Sequence, residues 1–511
     1  MRPSSSRLSD LPGTISSVRW GVILASCAKT VVRSMSTVAV SADATMVPMG
    51  GGEGASGGAG SHSTEGGAVG GVSRTGPVSA ESSRLDGSFL PLLTRSMSLR
   101  SIDKTALQHR PGTTLDLNFR GKFFAVSFIS RHGESNGMPD TITSDFITEN
   151  FPTLSEMTYL NNASTGIPPS RTVEAMKGYL DGRLRVEGKF EDTLRALELL
   201  REELALLLGG RRENYALTTS TSDGLNMAAH GIDYPEGSNI VICDLEFPAN
   251  YIPWQNASRW YDVELRVVRS ENGAATPEQF MDMIDENTRV VAVSLVQFAS
   301  GYRTDVKQLA RAVHDVGGIL VVDIIQAAGW ADFNLAQLDV DFAAAQAAKW
   351  MIGPIGAGFI YVSDRTLEVM KPRFTSWWGV ENVMEFGYAE RKLLKDARKF
   401  HVGSLALVAH VGLLESVRLL LEIPNRTRER TAMAVADYLR KRLSEMDIEY
   451  YDFGPKYNSA IVSCVPPDMD TLLNTLAEHN IYCSVRNGRL RVSPHFYNTT
   501  EDIDRLVAAL E

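Results

Sequence analysis

The sequence predicts an α/β fold, with a mostly parallel sheet in a large domain and a smaller α/β domain after it. From Phe151 onward, short β-branched runs alternate with stretches of helical periodicity, as in sheets whose parallel strands are joined by helices. A long helical stretch then leads into a second, shorter alternation. The 511 residues, 44% of them hydrophobic, exceed what one core organises, since a single core stops growing near ~250–300 residues. We therefore predict a large domain at residues 151–400 and a small one at 401–511.

The individual elements follow from local patterns. Strands are predicted in the large domain at residues 215–218, 239–243, 264–268, 289–293, 319–322 and 358–362. Helices are predicted at 277–284 and 305–316, the second because Val306, Leu309 and Val313 recur at helical spacing. In the small domain we predict strands at 459–465, 481–485 and 489–492 and helices at 469–479 and 501–510. A helical region around 405–421 precedes them.

The first 150 residues differ from the rest. Residues 1–46 are rich in serine and basic side chains, and Asp10 is the one acid before Asp43. This composition is typical of a transit peptide for the mitochondrion or another organelle, and the alternative is an unstructured extension of a cytoplasmic protein. Residues 47–81 are rich in Gly and Ser and read as a flexible linker. Residues 82–150 carry no motif, and we predict that they are poorly ordered.

The charge and the cysteine content limit the classes of binding partner that the sequence predicts. The formal net charge of -10 provides no global attraction to nucleic acid or to a membrane surface, so a small-molecule substrate is favoured. The four cysteines are scattered without a C-x-x-C pair, which predicts neither a metal site nor a disulfide framework. No apolar run approaches the roughly 18–20 residues that span a bilayer, so we predict no membrane helix.

A hydroxyl-rich turn follows the first strand of the large domain. In parallel sheets, ligands bind beyond the carboxyl ends of the strands. In residues 217–224 the end of a strand is followed by a run of Thr and Ser and then by the start of a helix. Free N–H groups at that helix start, with the hydroxyls of Thr221 and Ser222, would bind a phosphate. Taken alone, the same pattern also fits an ordinary helix cap.

Two charged residues follow other strands. Asp323 ends the apolar strand at 319–322, where its carboxylate needs a cationic partner or caps the next helix. Lys349 is the one charge in residues 342–362 and precedes a turn rich in Gly and Pro. Apolar surroundings lower the pKa of a lysine towards the neutral amine that a Schiff base requires. The alternative is a lysine lying along apolar surface with its amine in water.

These motifs, in this order, resemble the class V aminotransferase branch of fold type I pyridoxal 5'-phosphate (PLP) enzymes. The resemblance rests on the hydroxyl-rich cup, on Asp323-x-x-Gln326, and on Lys349 followed by Gly-Pro-x-Gly-x-Gly, and it covers about residues 157–511. The branch includes cysteine desulfurases, kynureninase-like lyases, isopenicillin N epimerase and transaminases. Residues 159–163 resemble its opening strand, and residues 246–250 resemble the segment that stacks an aromatic ring, here Phe247, on the cofactor.

The resemblance implies roles toward the cofactor. Lys349 would hold PLP as a Schiff base and then move protons. Asp323 would keep the pyridine nitrogen protonated, and Gln326 would donate to the phenolic oxygen. Thr221 and Ser222 would bind the phosphate.

It also implies contacts with substrate and partner subunit. Arg491, in a segment similar to Arg-x-Ser-x-x-x-Tyr-Asn, would bind the substrate α-carboxylate through a two-pronged fork. Asn162 would lie beside the substrate. Ser404 lies in a segment that resembles the one reaching the cofactor phosphate of the neighbouring protomer. The resemblance therefore implies that Ser404 contacts the cofactor and that the protein is a homodimer with shared active sites.

The chain departs from group II desulfurases at the site. Gln346 and Ala348 stand where those enzymes have Ser and His near the cofactor, and we count Gln346 among the cofactor contacts. The loop that carries the desulfurase cysteine is missing, because Gly488 runs almost directly into Arg491. Cys483 precedes that turn and reads as a small buried side chain.

We therefore predict a PLP enzyme acting at Cα or Cβ of an amino-acid-like substrate, by transamination, epimerisation or β-elimination. Two alternatives stay open. One is a cysteine desulfurase that mobilises sulfur, and the other is a module that keeps the fold without catalysis.

Overall fold

The computed structural model describes residues 142–187 and 190–510. The predicted transit peptide, the linker and most of residues 82–150 lie outside this part of the chain. For residues 144–150, at the end of that range, the prediction of poor order is wrong. Ser144–Asn150 form helix α1, which begins where the Thr143 hydroxyl accepts a hydrogen bond from the Phe146 amide. Phe146 and Ile147 pack against the main core, and this contact supplies the order.

The strands match the predicted positions closely. In chain order they are β1 (Thr158–Tyr159), β2 (Tyr215–Thr218), β3 (Asn239–Cys243), β4 (Glu264–Val268), β5 (Thr288–Ser294), β6 (Ile319–Asp323), β7 (Phe342–Gln346), β8 (Gly358–Val362), β9 (Glu449–Tyr450), β10 (Val462–Val465), β11 (Ile481–Tyr482), β12 (Ser484–Arg486) and β13 (Arg489–Val492). Strand β7 was not predicted, because its three consecutive alanines carry no β-propensity of their own. Pairing with strands on both sides determines its conformation.

Twelve further α-helices follow α1 in the described part of the chain. They continue as α2 (Ser170–Leu184), α3 (Phe190–Leu208), α4 (Thr221–Gly231), α5 (Pro248–Tyr261), α6 (Pro277–Met281), α7 (Val306–Asp315), α8 (Asp364–Val369), α9 (Leu407–Leu421), α10 (Asn425–Glu445), α11 (Gly454–Tyr457), α12 (Met469–Glu478) and α13 (Thr500–Leu510). Helix α7 shows why they form: Asp305 caps its amino end, and its buried face repeats at helical spacing. Among the described helices, none is both long and apolar enough to cross a bilayer.

A seven-stranded sheet organises the large region, with the order β2-β8-β7-β6-β5-β3-β4. Strand β8 is antiparallel to both neighbours, and the other strands run parallel to one another. The predicted mostly parallel α/β sheet is thus confirmed. The carboxyl ends of β2, β3, β5, β6 and β7 consequently meet at one edge, where side chains distant in sequence come together.

The boundary between the two regions differs from the predicted position at residue 400. Helix α9 packs on α2 and α3, and its Leu413, Val417 and Leu420 belong to the core of the large region. A separate core begins with α10, against the antiparallel sheet β12-β13-β10-β9. The helical pattern of α9 identifies it as a helix without saying which core receives it.

The chain's opening strand belongs to the C-terminal region. Strand β1 pairs in parallel with β11, and Leu160 lies in the second region's core. A further bridge joins Asn161 to Ser493. The segment that follows, residues 161–166, therefore passes from the arginine-bearing strands towards the carboxyl edge of the large sheet.

Candidate active site

Lys349 lies in a tight turn after β7 at the carboxyl edge of the large sheet. The turn is closed by a hydrogen bond from the Ile352 amide to the Lys349 carbonyl (2.9 Å). Gly166 packs directly on it, with its amide donating to the Ala348 carbonyl (2.8 Å). A Cβ on Gly166 would stand 2.0 Å from the Lys349 carbonyl oxygen, so only glycine permits this approach. The opening segment thereby fixes the backbone that carries the lysine.

Trp350, the next residue, anchors the same turn from two other sides. Its carbonyl lies 2.8 Å from His495 Nε2 and touches Gly329, where a Cβ would approach to 2.1 Å. Its indole N–H donates to Gln326 Oε1 (2.8 Å), and Gln326 Nε2 donates to the Ala163 carbonyl (3.0 Å). Gln326 was predicted to bind the cofactor's phenolic oxygen. Because its amide nitrogen carries two hydrogens, one stays available for that contact.

Two opposite charges, Lys349 and Asp323, lie at the carboxyl edge of the sheet. Burial lowers the pKa of the Lys349 amine, while the negative charge of Asp323 opposes this shift and the positive charges of Arg491 and Arg486 add to it. Burial likewise raises the pKa of the Asp323 carboxyl, which accepts a hydrogen bond from the Ile325 amide (2.9 Å). Within residues 142–187 and 190–510, no cation forms a salt bridge with Asp323. Its carboxylate therefore suits a cationic nitrogen supplied by a ligand.

Phe247 lies over the Lys349 amine. Lys349 Nζ is 5.5 Å from the centroid of its ring, and the ring meets Phe298 edge-on with centroids 5.1 Å apart. Phe247 is 42% exposed, so a face of the ring is free to cover a flat ligand. This placement is compatible with the stacking role that the resemblance implies.

The hydroxyl-rich cup forms at the start of α4. Ser220, rather than Thr221 or Ser222, caps the helix by accepting from the Asp223 amide (3.1 Å). Thr221 Oγ1 is buried without a hydrogen-bond partner, and Ser222 is exposed. An unpaired buried hydroxyl at a helix amino terminus is costly unless a ligand completes it, and an anion would do so. The cup therefore fits a phosphate group.

Two buried histidines hold the strand that leads into the cup. His401 Nε2 accepts a hydrogen bond from the Leu217 amide (2.9 Å), and His410 Nε2 lies 3.1 Å from the Thr218 carbonyl. Both histidines flank the segment that contains Ser404, and sequence reasoning overlooked them. Ser404 itself is exposed.

Gln346 is the last residue of β7 and is half-buried, three residues before the lysine. It pairs with Gly358 of β8. This position is compatible with the predicted cofactor contact.

Arg491 occupies the substrate side of the site. Its side chain is buried and donates to the Phe298 carbonyl (2.7 Å) and to Ser164 Oγ (2.6 Å), while Nε has no partner. Burial lowers the pKa of this arginine to about 9. Ser164 and the nearby Arg486 were not singled out from the sequence. Both lie next to features that were singled out, since Ser164 directly follows the opening motif and Arg486 directly precedes the turn before Arg491.

Asn162, predicted to lie beside the substrate, takes part in a buried hydrogen-bond network. It is fully buried, its Nδ2 donates to the Ser493 carbonyl (2.9 Å), and its Oδ1 accepts from the Tyr497 hydroxyl. These bonds join the opening segment to the strand end after Arg491. Asn162 thus positions the site, and Ser164 is the residue of this segment that contacts Arg491.

A buried carboxylate, Glu246, organises the segments that bear the two phenylalanines. It accepts hydrogen bonds from the Ser294 amide (2.8 Å) and hydroxyl, from Asn250 Nδ2 (2.8 Å) and from Gln297 Nε2 (2.9 Å). Glu246 directly precedes Phe247, and Gln297 directly precedes Phe298. The network therefore fixes both rings relative to β5.

The fold and this site together define a PLP enzyme of fold type I. A lysine at the carboxyl edge of the sheet, a carboxylate for a pyridinium nitrogen and a phosphate cup are the groups that this cofactor requires.

Comparison with known proteins agrees. The family model for aminotransferase class-V matches residues 158–506. A probable cysteine desulfurase of Methanothermobacter thermautotrophicus is 30% identical over 396 residues, which cover 71% of this chain and 96% of that protein. An uncharacterised aminotransferase of Bacillus subtilis is 27% identical, over 69% of this chain and 93% of its own. The solved apo cysteine desulfurase of Thermococcus onnurineus has the same fold, with a TM-score of 0.66 at 22% identity, covering 72% of this chain and 97% of its own.

The chain therefore belongs to the class V aminotransferase family and is a PLP-dependent enzyme.

The contact between Gly166 and the lysine turn yields a prediction. Gly166→Ala should displace the Lys349 backbone, because the added Cβ cannot fit 2.0 Å from a carbonyl oxygen. We expect weaker retention of PLP and a lower thermal midpoint, measured by dialysis with absorbance and by calorimetry. Gly387→Ala is the control, since nothing lies within 4 Å of its Cβ. Equal cofactor retention in the two variants would contradict the clamp.

Proposed function

We propose that the enzyme acts at Cα or Cβ of an amino-acid substrate, by transamination, epimerisation or β-elimination, without a cysteine that accepts sulfur. One observation carries this proposal. Strands β12 and β13 form a hairpin in which Arg486 pairs with Arg489, so the turn contains Asn487 and Gly488 alone. Both have positive φ, 51° and 75°, as in the tight two-residue turns that Asn-Gly favours. A turn this short leaves no room for a mobile loop that could bring a thiol to the substrate.

The cysteines of the described chain support the same conclusion. Cys243 and Cys464 are buried, and Cys483 packs against the core of the C-terminal region. Burial raises the pKa of all three thiols, with most effect at Cys243 and Cys483. Because the thiolate is the reactive form, these side chains are poor nucleophiles.

The site residues divide the work of the reaction. Lys349, Asp323 and the cup at α4 would hold PLP, and the chemistry it would supply there is an electron sink that weakens the bonds to the substrate's Cα. The Lys349 amine, whose pKa burial lowers to about 8, takes a proton at Cα when it is neutral and returns it there or to a neighbouring atom. Arg491 orients the substrate through its carboxylate, and Phe247 with Phe298 keeps water from the reacting face.

The second candidate function is a cysteine desulfurase. The names of the similar archaeal proteins favour it. The hairpin at Asn487–Gly488 and the buried thiols oppose it, since sulfur transfer to the protein needs a thiol near the substrate.

A third proposal concerns assembly. We propose a two-fold homodimer in which the exposed Ser404 segment reaches the neighbouring subunit's phosphate cup, with the buried His401 and His410 fixing the ends of that segment. Analytical ultracentrifugation of the PLP-loaded enzyme should show a dimer. A fully active monomer at the same concentration would contradict this arrangement.

The role of Lys349 is tested by cofactor absorbance. Purified wild-type protein given PLP should show a visible absorption band that survives gel filtration, and Lys349→Ala should lose both the band and turnover of amino acids. Lys441→Ala is the control, because Lys441 lies on the surface of α10 with its side chain 69% exposed. A Lys349→Ala variant with the wild-type band would remove this lysine from the site, and a wild-type protein that takes up no PLP would favour a non-catalytic module.

The choice between the two candidate functions is tested with Cys483 and Arg491. Cys483→Ser should keep most turnover, because its thiol is structural. Arg491→Ala should raise KM by roughly tenfold or more, since a charge-assisted fork contributes about 1.5–3 kcal/mol. Steady-state kinetics on the preferred substrate measure both effects. Abolished turnover in Cys483→Ser, with a persulfide on Cys483 after exposure of the wild type to L-cysteine, would restore the desulfurase.

A further inference from the structure

Two arginines converge on one hydroxyl at the substrate side of the site. Arg491, on β13, donates to Ser164 Oγ at 2.6 Å, and Arg486, at the end of β12, donates to the same oxygen at 3.2 Å. Each guanidinium also donates to a main-chain carbonyl, Arg491 to that of Phe298 and Arg486 to that of Val485. The serine hydroxyl thus has both lone pairs occupied by guanidinium groups.

Neither guanidinium has an acidic partner. Arg486 and Arg491 form no salt bridge with any carboxylate in the part of the chain that the structure describes, although Arg491 is only 1% exposed and its Nε is unpaired. Two other buried arginines do have such partners: Arg201 pairs with Glu198 (2.6 Å), and Arg440 pairs with Asp437 (2.7 Å). Arg428 also forms no salt bridge within the described residues, but its guanidinium donates to three main-chain carbonyls and an asparagine oxygen. What distinguishes the present site is that two guanidinium groups without an acid share one hydroxyl.

Like charges held together away from water are costly unless an anion neutralises them. The positive charge of Arg486 lowers the pKa of Arg491, after the larger effect of burial, and both charges reach Lys349. The cofactor's own charges are matched elsewhere, by Asp323 and by the cup at α4. The α-carboxylate of a substrate supplies one negative charge, which neutralises one of the two arginines.

We propose that the substrate is an amino acid whose side chain carries a second acidic group, with Arg491 binding the α-carboxylate and Arg486 binding the side-chain anion. This inference rests on the proposed function, because it names the substrate class for the same site. Ser164 would keep the two guanidinium groups apart at a fixed spacing, so that each fork faces its own anion. The hairpin that leaves no room for a mobile thiol also places Arg486 opposite Arg489, two residues before Arg491.

The test compares acidic amino acids with their neutral isosteres. The PLP-loaded enzyme is titrated with L-aspartate, L-asparagine, L-glutamate and L-glutamine, and binding is followed by the change in the cofactor's visible spectrum. At least one acid should bind about tenfold or more tightly than its amide, because only the acid pairs with Arg486. Arg486→Gln should remove that preference, because the affinity for the acidic amino acid should fall. The affinity for its amide should change by less than about threefold.

Arg489→Gln is the matched control. Arg489 lies in the same hairpin but pairs with Glu449 (2.7 Å) and stacks on Tyr451, 3.9 Å from its ring centroid, so its loss should leave the acid preference unchanged. Amides bound as tightly as acids, or an Arg486→Gln variant that weakens both alike, would overturn the inference and leave the proposed function standing. No spectral response to these or to neutral aliphatic amino acids would overturn both.

Discussion

An amine that must be neutral to react has to be held away from water, and the position of Lys349 depends on this requirement. Burial lowers its pKa, but a buried amine is useful only if its backbone cannot retreat. Gly166 and Gly329 press on the turn from two sides at distances that no Cβ tolerates. The opening segment, the strand ends and the C-terminal region all meet at this turn, so the position of the lysine depends on how both regions pack.

The sequence predicted the parts of the site that are local. Asp323 ends β6 and Thr221 follows β2, and parallel strands bring their carboxyl ends to one edge. Lys349 stood out as the one charge in residues 342–362, although the strand before it, β7, was not predicted. The missing loop before Arg491 was also visible, because Gly488 runs almost directly into Arg491. In each case a few consecutive residues contain the whole signal.

Contacts between distant segments could not be predicted in this way. Arg491 donates a hydrogen bond to Ser164, which is 327 residues away in the sequence, and the sequence near either residue does not indicate the other as its partner. Asn162 was assigned to the substrate by resemblance, whereas its amide bonds with Ser493 and Tyr497 across the two regions. Helix α9 was placed in the wrong region for the same reason: its apolar side chains show that it is buried without showing against what. Packing, rather than propensity, decides these cases.

The structure also relates chemistry to selectivity. Lys349 and Asp323 provide what any PLP enzyme of this family needs, so they do not distinguish one reaction from another. Under the proposed function the hairpin does distinguish them, because its two-residue turn leaves no room for a mobile thiol and it carries Arg486 and Arg491, which form no salt bridge within the described residues. The central claim is that Lys349 binds the cofactor. It is tested most directly by reducing the PLP-loaded enzyme with borohydride and locating the resulting phosphopyridoxyl group by peptide mass spectrometry. We predict a single modified site at Lys349; modification of another lysine, such as the buried Lys399, would contradict the account.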